Sequence, residues 1–294
     1  MTIKKITALL MLSVLPLGVL TAQDEKDYLP KAGDWAIGID MQPVYSFFGN
    51  LANGDAGNGL GQFGGEDAFG AIPGVSIMGK YMLDNTTALR FNVGIDKAVD
   101  HHYDFRLDDE ARFINPLSES KVKDYYKHND ATYSIAAGIE FRKGKNRIQG
   151  YVGGDLVFEY DKERYQISYG NILTEVNQTP TRDAATYNGF GLGAHNVNYW
   201  KATYLTESYR KTAILGLAGK VGVEYFVAPK LAFGGEVSLI AAERFEAGSY
   251  TIQEGYNPTT AKVETHTELE DPANRQFYLG TLDMGGKLFM IFYF

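Results

Sequence analysis

This chain has no cysteine among its 294 residues. Disulfide scaffolds and thiolate metal sites are therefore excluded. It has no basic excess either. The formal charge is -8, and an acidic chain is a poor candidate for nucleic acid. Beyond residue 22 no apolar run reaches the roughly 20 residues that a transmembrane helix needs. What the chain has in quantity is 33 glycines, 20 tyrosines and 17 phenylalanines. Glycine and aromatics alternating along strands suit a membrane barrel with aromatic girdles. Composition alone leaves a soluble β-sandwich as the second reading.

The start of the chain reads as a targeting segment. Lys4 and Lys5 precede an apolar run from Ile6 to Leu20, and Leu20-Thr21-Ala22 offers a small-residue cleavage site. The run is about 15 residues, too short for a membrane span. Residues 1–22 are therefore expected to be a signal peptide, and its removal takes the net charge from -8 to -10. Residues 23–33 read as a lead-in and 34–294 as one barrel.

The last residues alternate over a long stretch. Leu282, Met284, Gly286, Leu288, Met290, Phe292 and Phe294 fall on one face, and Asp283, Gly285, Lys287, Phe289, Ile291 and Tyr293 on the other. One face is apolar and the other admits charge. Seven further segments alternate similarly, near 34–47, 71–82, 86–98, 131–142, from 147, 211–227 and from 231. Asp84-Asn85, Lys143 to Asn146 and Pro229-Lys230 mark short turns. The other links run to roughly 20–50 residues, beyond an ordinary hairpin loop. Short and long links alternate strictly, as outer-membrane barrels require.

The fold expected is therefore all-β, an eight-stranded antiparallel transmembrane β-barrel with short periplasmic turns and four long extracellular loops. Its architecture resembles the small bacterial outer-membrane β-barrel proteins of the OmpA-barrel, OmpX and OmpW kind. The resemblance implies outer-membrane localisation with both mature termini periplasmic. It implies that terminal Phe294 is part of the signal read by the barrel assembly machinery. It also implies outer-membrane lipid, including lipopolysaccharide, as surroundings.

With the apolar faces toward lipid, the opposite faces line the lumen. They carry Asp40, Lys80, Arg90, Asp96, Glu140, Arg142, Asp155, Lys220, Glu224, Glu236, Asp283 and Lys287. Charges of both signs in a barrel of minimal girth should pair and fill it. Charge spread from one end to the other argues against an apolar ligand channel. The expectation is a plugged, non-enzymatic scaffold that presents loops to an extracellular partner, glycan or surface. A narrow gated channel and a rim-located hydrolase are the alternatives.

Other motifs are weaker. Gly59-Leu60-Gly61-Gln62-Phe63-Gly64 matches the dinucleotide-binding string but opens no helix, so a loop tip is expected. All five histidines, His101, His102, His128, His195 and His266, map to long loops, and no catalytic partner or metal set can be placed by spacing. The mixed-charge stretch 99–130 reads as a solvated loop. Tyr199, Trp200 and Tyr204 in the third loop are the candidates for partner contact. No cofactor is expected.

Overall fold

The structure is a computed structural model that describes residues 28–41, 76–182 and 203–294, with backbone alone at 76, 203–205 and 281–286. The proposed signal peptide, the first long link with its Gly59–Gly64 string, and the adjoining ends of the first two expected segments lie outside the described residues.

The strands are β1 (Trp35–Asp40), β2 (Ser76–Met82), β3 (Thr87–Leu107), β4 (Lys121–Lys145), β5 (Ile148–Ser168), β6 (Thr203–Ala228), β7 (Leu231–Glu246), β8 (Ser249–Asn257), β9 (Lys262–Asp271) and β10 (Asn274–Tyr293). A short helix α1 (Asp109–Ile114) joins β3 to β4, its first turn capped by the Asp108 carboxylate on the Ala111 amide. Strands β1 to β7 pair in chain order, β10 pairs with both β7 and β1, and the ring closes. This is an eight-stranded antiparallel β-barrel. At the seam the Phe294 amide donates to the Trp35 carbonyl at 2.8 Å, and the Trp35 amide donates to the Phe294 carbonyl at 3.1 Å.

Burial runs opposite to that of a protein made for water. Leu156, Leu215, Leu217, Val221, Val237, Leu239 and Leu288 are about half exposed, whereas Lys80, Arg90, Glu140 and Glu224 are buried. An apolar exterior around a charged interior is the distribution expected where the surroundings are themselves apolar.

One end of the barrel is made of tight turns. Lys145 pairs with Ile148, leaving Asn146-Arg147 as a two-residue loop, with Asn146 at φ 59°. Strand β4 thus runs through Lys143 to Lys145, further than the expected turn allowed. Ala228 pairs with Leu231 around Pro229-Lys230, with Lys230 at φ 64°. The lead-in lies across this end. Gly33 donates to the Met82 carbonyl at 2.8 Å, Tyr28 accepts from Arg147 Nη2 at 2.7 Å with the guanidinium 4.3 Å over its ring, and the Lys230 amide donates to the Tyr28 carbonyl at 3.3 Å.

The other end departs from expectation in three ways. First, residues 99–130 are mostly ladder, not loop: β3 and β4 stay paired from Thr87–Phe141 out to Leu107–Lys121. The ribbon carries polar groups on both faces, so no apolar stripe announces it. Three of the expected loop histidines, His101, His102 and His128, accordingly sit in strands. Second, the last long link folds as the β8–β9 hairpin, which holds His266 and pairs with the outer end of β6. Third, β10 changes phase. Leu282 is opposite Ser238 and Lys287 opposite Glu236, so five steps on β10 match two on β7. Exposed Phe277 and Leu279 and exposed Leu288 and Phe292 therefore keep outward faces on opposite parities. The expected single face from Leu282 to Phe294 is corrected to two faces joined across a bulge at Asp283 to Gly286.

Candidate functional site

The lumen is layered. At the turn end Met78, Met82, Phe226, Phe289, Ile291 and Tyr293 form an apolar floor, with Tyr28 and Leu29 of the lead-in packed against it. Above it lies a charged layer. Lys80 bridges Glu140 at 2.9 Å and Glu224 at 2.7 Å. Arg90 meets Glu140 at 3.3 Å, Asp155 at 3.2 Å and Glu236 at 2.9 Å. Arg142 meets Glu140 at 2.8 Å and also pairs with Glu224. Lys220 meets Asp155 at 2.8 Å and Glu236 at 3.2 Å. Four cations thus share four carboxylates: Glu140 has three cationic partners, and Glu224, Asp155 and Glu236 have two each.

The layer exists because strand alternation sends these residues inward from adjacent strands at one level. Lys80 is opposite Arg90, and Gly138, which pairs with both Arg90 and Asp155, has no side chain between them. A Cβ at Gly138 would sit 2.3 Å from the Asp155 carboxylate, so glycine is needed at that position. Hydrogen bonds complete much of the set. Tyr151 donates to Glu236 at 2.7 Å, Tyr293 donates to Glu224 at 2.9 Å, and Arg142 Nε donates to Gln149 at 2.9 Å. Lys80 also lies 4.4 Å over the Tyr151 ring. Asp155 differs: both its oxygens are buried and held by cations without an aligned hydrogen bond.

Of the twelve lumen residues expected from sequence, eight meet in this layer. Lys287 and Asp40 form a neighbouring pair at 3.7 Å. Asp96 does not join: it is exposed on β3, opposite Thr132 and well above the layer, so its place in the network is corrected. The side chain of Asp283 is outside the described residues. Tyr151, Tyr293 and Gln149 belong to the layer, although sequence reading did not single them out as site residues. The signal was available for Tyr151, since Gln149, Tyr151, Gly153 and Asp155 share one parity. Nor does charge run from end to end. Ile214, Ala218, Ile240 and Ala242, with Val157 and Tyr278, make an apolar patch.

The loop end is a folded cap held by polar links. Asn171 donates to the carbonyls of Leu107 and Thr181 at 2.8 and 2.9 Å and accepts from the Asp109 amide at 3.0 Å. Arg182 pairs with Glu254 and stacks 4.2 Å over Tyr169. Partial burial raises the Asp109 pKa, but hydrogen bonds from Thr181 and Asn177 outweigh it and hold the carboxyl below its ordinary 3.8. Asp130 goes the other way: burial, with Asp161 and Glu163 near, pushes it above 3.8. His128 lies between Asp100 at 3.7 Å and Glu163 at 3.3 Å, stacked 4.2 Å over Tyr165. Among the described residues no group of His, Asp and Glu could hold a metal ion. Tyr199 and Trp200 lie outside the described residues. Tyr204 is opposite Glu254 on β8, its side chain undescribed.

No protein-family model matches the chain, and no curated protein sequence is similar to it. Solved structures similar to it include two outer-membrane proteins. One is Ail, the attachment invasion locus protein of Yersinia pestis, at 13% identity over 90% of this chain and 99% of that one, with a TM-score of 0.33. The other is the outer membrane protein OprG from Pseudomonas aeruginosa, at 12% identity over 90% and 98%, with a TM-score of 0.31.

Proposed function

We propose that this protein is an integral outer-membrane β-barrel whose lumen is closed by its charged layer. It serves as a non-enzymatic scaffold that holds the folded cap outside the cell for a partner, glycan or surface. The observation that carries the reading is the burial of the layer: Lys80, Arg90, Glu140, Arg142, Asp155, Glu224 and Glu236 are at most 5% exposed. A continuous water path would leave some of these groups wet. The apolar floor and the lead-in across the turn end support closure from the periplasmic side. Phe294, paired into the seam, serves the barrel assembly machinery as its signal.

Planar-bilayer recording is the test. The native chain should give rare, small or no conductance, and Lys220→Ala or Glu236→Ala should raise it by removing one partner from two members of the buried layer. A steady large conductance from the native chain would make it a narrow channel instead. Fractionation settles the location: recovery of the chain in the soluble periplasm would end the membrane reading.

A further inference from the structure

The outward face of β3 to β6 carries a second feature, which the lumen reading leaves unused. On three of these strands the outward apolar run gives way to lysine. Lys97 follows Ile95, Lys162 follows Tyr160, and Lys211 follows Ala213 and Leu215. The ladder aligns them, since Lys97 pairs with Ala131, Ala131 with Lys162, and Lys162 with Lys211. None of the three has a carboxylate partner among the described residues. The acids nearby are engaged, Glu207 with Arg164 at 2.8 Å and Glu243 with Arg275 at 3.9 Å. Like charges directly opposite on a sheet destabilise it. Lys162 facing Lys211 therefore makes sense if an anion lies between them. In a chain of net charge -8 such a row is not explained by composition.

Farther toward the turn end, on the same four strands, the lipid-facing wall is hollow. A groove of about 840 Å³ opens where Ala137, Gly154 and Gly219 stand among larger side chains. These glycines are not demanded by the barrel. A Cβ at Gly219 would meet nothing within 4 Å, and one at Gly154 would have ordinary contact with the Ala218 carbonyl at 3.5 Å. Leu156, at the groove, and Lys162 are six residues apart on β5, about 20 Å along the strand. An acyl chain can span that distance.

We infer that the outward face of β3 to β6 binds one multiply phosphorylated glycolipid of the outer leaflet. Its phosphates sit on Lys97, Lys162 and Lys211, and an acyl chain lies in the groove of Ala137, Gly154 and Gly219. Three cations in one row call for more than one phosphate, which favours a diphosphorylated headgroup over a phospholipid. The inference rests on the membrane-barrel reading with the loop end outward, but not on a closed lumen.

The test uses the purified full chain in detergent micelles, titrated with fluorescent diphosphoryl lipid A. Each lysine changed to glutamine should weaken binding roughly fivefold, and Gly219→Leu should weaken it by filling the groove. Heat-modifiable gel mobility should stay as in the native chain for every variant. If the triple variant fails to fold, Lys211→Gln alone still reports. Unchanged affinity in Lys97→Gln/Lys162→Gln/Lys211→Gln would overturn the inference. So would equal binding of dephosphorylated lipid A, or displacement by phosphatidylglycerol at equal concentration. Failure of the scaffold reading shows instead as native bilayer conductance, which micelle binding does not register.

Discussion

The turn half and the loop half of this barrel solve the same problem differently. In the turn half, charges are few, buried and shared, and every carboxylate of the layer answers to at least two cations. In the loop half, polar groups are many and mostly half exposed, with links that keep access to water, such as Arg164 with Glu207 at 2.8 Å. The difference teaches that energy follows desolvation more than contact number. A buried pair that loses one member leaves an uncompensated charge, whereas an exposed one returns to water.

The strongest break of this contrast is Glu224→Ala. It strips a partner from both Lys80 and Arg142 in the buried layer. We expect a loss of about 3–5 kcal/mol, read from urea unfolding in lipid vesicles. Arg164→Ala in the loop half should cost only about 0–1 kcal/mol, because its side chain is 43% exposed. Equal costs would abolish the distinction between the halves.

Next comes the lipid face. Leu215→Arg should cost about 2–4 kcal/mol if this residue lies near the membrane midplane. Phe277→Arg, outward on the far side of the β10 bulge, should cost less in the same unfolding assay. A larger cost at Phe277 would shift the apolar band toward the loop end.

A smaller effect is expected in the cap. Asn171→Ala removes a side chain that joins Leu107, Asp109 and Thr181. The cost should be about 1–3 kcal/mol, seen as faster hydrogen exchange in residues 169–182 with unchanged exchange in β7. Spread of the effect into the turn half would mean that the two halves unfold as one.

The smallest effect is the response of the cap to pH. The raised Asp130 pKa means that the folded cap takes up its proton more readily than the unfolded chain. That contribution is fully present below 3.8 and is lost as pH rises through the raised value. The lowered Asp109 pKa acts oppositely, giving stability above 3.8 that is lost as pH falls through its depressed value. Cap protection in hydrogen exchange should therefore rise on mild acidification and fall below about pH 3.8. Asp130→Asn should abolish the rise, and Asp109→Asn the later fall. A profile unchanged in both variants would remove these carboxyls from the account.

Much of the barrel was legible in the chain. Long alternating segments, tight turns and the closing aromatic residue gave eight strands and their order, because strand periodicity is local and each face meets one environment. Lys80, Arg90, Glu140 and Glu236 could be assigned inward for the same reason. The β3–β4 extension escaped because polar and charged residues interrupt both of its faces, so no unbroken apolar stripe runs along it. The β10 phase change escaped because a bulge is defined only against the partner strand. Asp96 was misplaced because parity gives the side of the sheet but not the height in the lumen.

The sequence by itself therefore determined the eight-strand ring and the sign of most faces. Only the tertiary structure decided which charges share a level, where the lumen turns apolar, and that three lysines from β3, β5 and β6 align above one groove. The reason is that alternation is written within a strand, while level is set by register between strands. Register depends on turns, bulges and the closure of the ring.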